Sequence, residues 1–280
     1  MNPGGSAGDP RLSRLLSIKS LDGLTGIYER NFGYSASINR FFRRFVKNRI
    51  VADLGCGHGL STFYNSTVAK RIVGFDVDRD AISYACRLKE SWKSSNNVDF
   101  VWRDSYETGL DSNHFDAVLS ADVIEHVNDP MPYLLEACRI CKEGGTLLIS
   151  TPNGLVADGN IWVMRAHSPF HVAEYSPLQL ERLLKKAGFH VTGVFEQGPA
   201  SRDPLSSDPL SRIKRHVKQS KIGLVLSYNT RRLQVRRVNT RNSLADWEIH
   251  QSNLQDITAT SCTAFIMIAE KSAREKVQGQ

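Results

Sequence analysis

The sequence predicts an α/β fold built on a largely parallel sheet, and three observations predict it. From Ile50 onward, short apolar runs alternate with segments of helical spacing, the rhythm of βαβ units. The first of those runs leads into a glycine loop, Val51-Ala-Asp-Leu-Gly-Cys-Gly-His-Gly59, followed by residues able to start a helix. The composition is that of an ordinary globular chain, 41% hydrophobic and 23% charged over 280 residues. That length can bury a substantial core as one domain with additions.

Taken in order, residues 1–10 read as a polar, flexible leader without a basic-then-apolar targeting pattern. No run approaches the ~18 apolar residues of a membrane span, so the expected location is cytoplasmic. From Arg11 to Asn48 apolar residues recur at helical spacing (Leu12, Leu15, Leu16; then Ile38, Phe41, Phe42, Phe45), interrupted by Gly23, Gly26 and Gly33. This predicts two or more helices forming a cap over 1–49. Strands are expected at 50–54, 71–75, 98–102, 115–120, 146–150, 190–196 and 262–270, and helices at about 60–69, 79–93, 130–142 and 177–187. The last helix is the best marked: Ser176 suits the N-cap, Pro177 the first turn, Leu180, Leu183 and Leu184 form a stripe, and Gly188 ends it. The chain thus divides into a core over 50–198, a basic insertion or lid over 199–260 that opens on a Ser/Asp/Pro hinge, and a final strand with its tail over 261–280.

Charge follows that division. Residues 1–50 carry nine Lys/Arg against three Asp/Glu, and residues 199–245 eleven against two, whereas the whole chain nets only +7. A mildly acidic core therefore sits between two basic additions. The five cysteines are odd in number and scattered, which argues against a disulfide framework. Cys138 and Cys141 form a CxxC, but it falls within the expected helix at 130–142 with no second pair to complete a zinc site.

The loop suits a nucleotide-like cofactor at the carboxyl end of a parallel sheet, because Gly55, Gly57 and Gly59 permit close approach to backbone and the following helix can face an anion. Alone it does not choose the cofactor. A dinucleotide fingerprint is GxGxxG, whereas this chain reads GxGxG with Leu60 where the third glycine would fall. Asp76 ends the second strand, where a carboxylate can accept from both hydroxyls of a ribose. Asp78 is the better N-cap for the next helix, which leaves Asp76 for ligand.

With Asp53 two residues before Gly55, the loop resembles motif I of the class I S-adenosylmethionine (SAM)-dependent methyltransferases. The stretch from Phe115 to Pro130 resembles the FDxVxxxxVxEHVxDP signature of the branch that includes the ubiquinone O-methyltransferases and many bacterial small-molecule methyltransferases. Gly144-Gly-Thr-Leu-Leu-Ile-Ser-Thr-Pro-Asn153 and His171-Val-Ala-Glu-Tyr-Ser-Pro-Leu-Gln-Leu180 resemble it too, so four ordered motifs span about 50–198. The resemblance implies a seven-stranded Rossmann-like methyltransferase sheet with helices on both faces and the last strand antiparallel. It implies SAM as cofactor and S-adenosylhomocysteine as product. The SAM-binding residues would be Asp53, Gly55, Cys56 and Gly57 in the loop, Asp76 and Val77 after the second strand, Asp104 and Ser105 after the third, and Asp122 after the fourth.

Methyl transfer from a sulfonium is an in-line displacement, so the protein chiefly holds donor and acceptor in alignment. A hydroxyl acceptor also needs a base, and His126 and His171 are the candidates, with His167 a weaker third. His126 reads equally as a packing residue. Asp122, Glu125 and His126 form an acid-x-x-Glu-His run similar to one proposed to bind a divalent ion in some quinone O-methyltransferases, but with Asp where those relatives have Glu; the expectation is that no metal is required. The expected acceptor is a small molecule or lipid-like compound, methylated at oxygen. Segment 210–241 reads either as a lid over the acceptor pocket or as a contact for an anionic membrane or acceptor. Nucleic acid is disfavoured, since Tyr228 is almost the only aromatic in the basic run. The alternatives are a nucleotide-cofactor oxidoreductase and a non-catalytic SAM-binding module.

Overall fold

The computed structural model describes residues 20–92, 96–154, 157–158, 161–162, 170–199, 247–254 and 264–272. Ten strands are described, β1 (Ile50–Leu54), β2 (Arg71–Asp76), β3 (Val98–Trp102), β4 (Phe115–Ala121), β5 (Cys141–Pro152), the short pair β6 (Ala157–Asp158) and β7 (Ile161–Trp162), β8 (Phe189–Pro199), β9 (Trp247–Ser252) and β10 (Ala264–Lys271). Eight of them make one sheet in the order β3-β2-β1-β4-β5-β10-β8-β9. The pairings β1·β2, β1·β4, β2·β3 and β4·β5 are parallel, and β10 runs antiparallel to both β5 and β8. The α/β class and the antiparallel last strand agree with the sequence.

The sheet buries both faces, and the strands show why. In β4, Ala117 and Leu119 face one apolar cluster and Val118 the other; in β10, Ile266 and Ile268 alternate with Met267 and Ala269 in the same way. One face carries α5 (Pro130–Ile140) and α6 (Pro177–Lys186), through Tyr133, Leu134, Ile140, Leu180 and Leu184. The other carries α2 (Gly33–Val46), α3 (Leu60–Ser66) and α4 (Arg79–Ser91), through Ile38, Phe42, Phe63 and Leu88. Phe42, Phe63 and Phe115 are essentially fully buried, which contributes roughly 1.5–3 kcal/mol apiece. Local signals set the helix ends. Asp78 caps α4 by accepting from Asp80 and Ala81 N–H, and Ser176 and Gln179 form a capping box on α6.

Four expectations are corrected. Gly23 and Gly26 do not interrupt a helix; both lie inside α1 (Leu21–Asn31), and the break falls at Phe32 instead. Each glycine costs about 1 kcal/mol of helix propensity, which burial of Leu24 and Tyr28 on the same helix outweighs. Helix α3 stops at Ser66 rather than near 69. Cys141 opens β5 instead of ending α5, so the CxxC straddles a helix–strand junction; the four described cysteines are free thiols. The sheet has eight strands rather than seven, because Trp247–Ser252, read as part of the basic insertion, pairs antiparallel with β8. Residues 200–246 and 255–260 of that insertion, including 210–241 and its hinge, together with the leader, His167 and Cys262, lie outside the described residues. Among the described residues no helix is long and apolar enough to cross a membrane.

Candidate active site

At the carboxyl ends of β1, β2 and β4 lies a cavity of about 890 Å3, with Tyr28 of α1, Phe32 at the helix break, and Ile38 and Asn39 of α2 as its roof. Volumes of this order suit a nucleotide-sized ligand with room for a second molecule. The glycine loop forms the floor. Gly55 and Cys56 N–H both donate to the Phe75 carbonyl (2.8 and 3.0 Å), pinning the loop to the end of β2.

The three glycines answer different needs. A Cβ on Gly55 would lie 2.6 Å from Val123, and one on Gly59 2.6 Å from the Phe100 ring, so both are excluded by the protein's own packing. Gly57 alone faces open space: nothing lies within 4 Å of its Cβ position, and its φ is +53°. It is the position that lets a ligand reach bare backbone. Its N–H donates to Asp76 Oδ2 (2.7 Å), while Asp76 Oδ1 accepts from Asp78 N–H (2.8 Å). A carboxylate has about four acceptor sites, so Asp76, in the cavity wall, keeps capacity for a ligand's hydroxyls.

Most of the residues expected to bind SAM line this cavity: Gly55, Cys56, Gly57, Asp76, Val77, Asp104, Ser105 and Asp122. Val77 is 63% exposed, unusual for an apolar side chain, and its carbonyl accepts from Trp102 Nε1 (2.9 Å). Asp104 accepts from Tyr106 N–H (2.9 Å), which turns the β3 loop. Asp122 takes a left-handed backbone (φ 54°), a conformation Asp tolerates better than most residues, and accepts from Ser150 Oγ at 2.9 Å. Burial pushes its carboxyl up to about 6.

Asp53 does not line the cavity; it lies beneath the loop, 2% exposed, accepting from Thr62 Oγ1 (2.6 Å) and Ser61 Oγ (3.3 Å). It braces the loop against the start of α3. Burial pushes its carboxyl from the ordinary carboxylate range up to about 6, against the opposing pull of Thr62 and Ser61. The folded state therefore holds this proton at pH values where the unfolded chain has lost it. Asp53 favours folding most at low pH and loses that contribution as pH rises from about 4 to about 6, a change of up to roughly 3 kcal/mol. For Asp53→Asn, the melting temperature relative to the parent should therefore climb between pH 4 and pH 7 in scanning calorimetry. A difference that stays flat over that range would refute the assignment.

The turn after β4, a single 3₁₀ turn over Ile124–His126, assembles the titratable groups. The Glu125 carbonyl accepts from Val172 and Ala173 N–H (2.7 and 3.2 Å), drawing the 170–174 segment onto the turn. Glu125 is fully buried and accepts from Thr151 Oγ1 at 2.9 Å; burial, with Asp122 nearby, holds its carboxyl well above the usual range. His126 is in the cavity wall, its Nδ1 bonded to the Phe170 carbonyl (3.0 Å), and burial lowers its pKa. His171 is not in the cavity wall. It stands behind His126, ring centroids 4.9 Å apart, with its Nδ1 2.6 Å from Glu174.

Sequence reasoning missed the roof. The apolar stripe of α2 was legible, but the polar Ser35 and Asn39 beside it gave no sign that they meet the cavity. It also missed Tyr133, whose buried hydroxyl donates to Ser120 Oγ (2.8 Å).

Comparison with known proteins agrees with this geometry. A family model described as "Methyltransferase domain" matches residues 28–194. A probable S-adenosylmethionine-dependent methyltransferase of Mycolicibacterium smegmatis is 31% identical over 186 residues, 61% of this chain and 68% of that one. A ubiquinone biosynthesis O-methyltransferase of Cereibacter sphaeroides is 30% identical over 169 residues, 57% of this chain and 64% of the relative, so the chain spans about two thirds of the length of these relatives. A solved structure from Thermotoga maritima, described as a SAM-dependent methyltransferase and possible histamine N-methyltransferase, shares the fold with a TM-score of 0.55 at 16% identity, covering 86% of this chain and 90% of that one. The open glycine, the acid at the end of β2 and the cavity between them fit SAM, and with the family match over more than half its length the chain belongs to the class I SAM-dependent methyltransferases.

Proposed function

We propose that the chain transfers the methyl group of SAM to an oxygen of a small-molecule or lipid-like acceptor. The observation that carries the reading is the placement of His126: its Nδ1 is committed to the Phe170 carbonyl, which leaves Nε2 of the neutral ring as an acceptor at the cavity wall. SAM supplies a methyl group on a sulfonium, a leaving group that is already activated. The residues do the rest. Asp76, Asp104 and the Gly57 backbone hold the donor, and the roof helices exclude water from the acceptor side. His126 takes the acceptor hydroxyl's proton as the new O–CH3 bond forms and the S–CH3 electron pair returns to sulfur.

The lipid-like class rests on charge. Residues 199–245 hold eleven Lys/Arg against two Asp/Glu, so an amphiphilic acceptor presented at an anionic surface would meet a complementary segment at 210–241. Relatives described as ubiquinone biosynthesis O-methyltransferases point the same way.

The experiment is transfer of labelled methyl from SAM to phenolic and amine acceptors, offered free and in vesicles with and without anionic lipid. Label in methyl ethers, raised by anionic vesicles and lowered by salt, is the expected outcome. Label in amines alone would overturn the oxygen reading, and vesicle-independent ether formation would remove the lipid surface.

A further inference from the structure

We infer that Glu136 and Arg139 of α5 are positioning residues for the donor: neither lines the cavity, yet together they grip the loop after β3 and so set the affinity for SAM. That loop runs from Arg103 to His114 with no helix or strand of its own, well beyond the ~4–6 residues usual for a connection. It carries Asp104, Ser105 and Tyr106 into the cavity wall. What fixes it is a ladder of hydrogen bonds to α5, taken in chain order. Asp129 N–H, at the N-cap of α5, donates to Tyr106 Oη (3.2 Å). Glu136 Oε1 accepts from Thr108 N–H (2.8 Å) and from Thr108 Oγ1 (2.5 Å). Arg139 Nη1 donates to the Leu110 carbonyl (2.7 Å) and to Ser112 Oγ (3.1 Å). Asn113 and His114 N–H then donate to the carbonyls of Arg139 and Ile140, each at 2.9 Å.

The two charges also hold each other. Arg139 Nε donates to Glu136 Oε2 (2.7 Å) and Nη2 to Oε1 (2.8 Å), a forked geometry that fixes direction as well as distance. With four hydrogen bonds accepted, Glu136 has filled the roughly four acceptor sites of a carboxylate, and it is buried. A carboxylate so shielded adds little net stability over apolar packing, because desolvation offsets the attraction. What it supplies here is a fixed place for Thr108 and the loop around it. The sheet order says which end of the donor that loop meets. Strands β4, β1, β2 and β3 are successive neighbours, and His126, Gly57, Asp76 and Asp104 follow them in that order. With the methyl group directed to His126 and the ribose at Asp76, the base of the donor falls on the loop after β3; this step rests on the donor placement proposed above. The His126 turn has its own anchors, the bonds from Val172 and Ala173 to the Glu125 carbonyl, so loosening the fork weakens donor binding without moving the base.

The test is calorimetric titration of the full chain and its variants with SAM and with 5′-methylthioadenosine, which keeps the base and ribose but lacks the amino-acid end. Glu136→Gln should raise both dissociation constants by roughly 10–100-fold, and by similar factors, since the loop serves the base end that the two ligands share. Thr108→Val, which keeps the shape and removes the hydroxyl, should raise them by about 3–10-fold, whereas Thr108→Ser should stay within about twofold of the parent. Tryptic cleavage after Arg103 reads the loop directly: it should quicken in Glu136→Gln and slow again in saturating SAM. A role in stability alone would lower the melting temperature of Glu136→Gln and leave its SAM affinity within about twofold of the parent, which would overturn the inference. Equal losses in Thr108→Val and Thr108→Ser, or unchanged cleavage, would do the same. Asp104→Asn separates the two readings. Weaker binding in Asp104→Asn with none in Glu136→Gln keeps the donor placement and refutes the grip, and the reverse pattern refutes the contact with Asp104 while the grip stands.

Discussion

His126→Ala is expected to lower kcat by about 10²–10⁴-fold, the range that a positioned acid–base group contributes, while SAM affinity stays nearly unchanged. The geometry separates these effects. His126 is in the wall at the turn after β4, whereas the donor-side residues Gly57 and Asp76 come from the loops after β1 and β2. The turn itself is held by the Glu125 carbonyl and by the Asp122–Ser150 bonds, neither of which uses the imidazole. Single-turnover rates with saturating SAM, alongside calorimetric SAM binding, check the prediction. A purely structural His126 would instead give a lower melting temperature with kcat intact.

Asp76→Ala should weaken SAM binding by about 10²–10⁴-fold, because two hydrogen bonds donated by ligand hydroxyls to a charged acceptor are lost at roughly 1.5–3 kcal/mol each. The change acts twice. It removes the carboxylate offered to the ligand, and it frees the Gly57 and Asp78 N–H groups that the same carboxylate now holds at 2.7 and 2.8 Å. Calorimetric titration with SAM and S-adenosylhomocysteine measures the loss. Binding within a few-fold of the parent would mean that the donor does not use the end of β2.

The fold was legible where a local signal repeated at the right period. The core strands read as short apolar runs because both faces of a parallel sheet are covered, and the positions of β1, β2, β3, β4, β8 and β10 matched to within a few residues, whereas β5 starts early and the short pair β6 and β7 was not foreseen. Helix α6 was legible from its Ser176 cap, its leucine stripe and the glycine that ends it. Strand β9 was not, because it is an edge strand whose partner β8 lies far away in sequence, and a segment following a long basic run carries no mark of that pairing. At the site, glycines and acids at strand ends marked the loops after β1, β2, β3 and β4, and these loops line the cavity, although Gly55 and Gly59 answer to packing. The bracing contacts of Asp53 were not legible, because the sequence cannot distinguish an acid facing the cavity from one facing Thr62. The placement of His171 beside His126 depends on two backbone hydrogen bonds across the molecule, which no local pattern encodes.

The pairing of Pro199 with Trp247 has a consequence for how this enzyme can change. The chain leaves the sheet on β8 and re-enters on the adjacent β9, so the two ends of the intervening basic stretch are fixed one strand spacing apart whatever lies between them. A short turn could in principle join those ends, and lengthening such a connection adds only about 0.6 kcal/mol of closure cost per doubling. The stretch is therefore an exchangeable module: it can be replaced, shortened or extended while the donor cradle and the His126–His171 pair keep their geometry. New acceptors could be acquired there without the catalytic core having to be rebuilt.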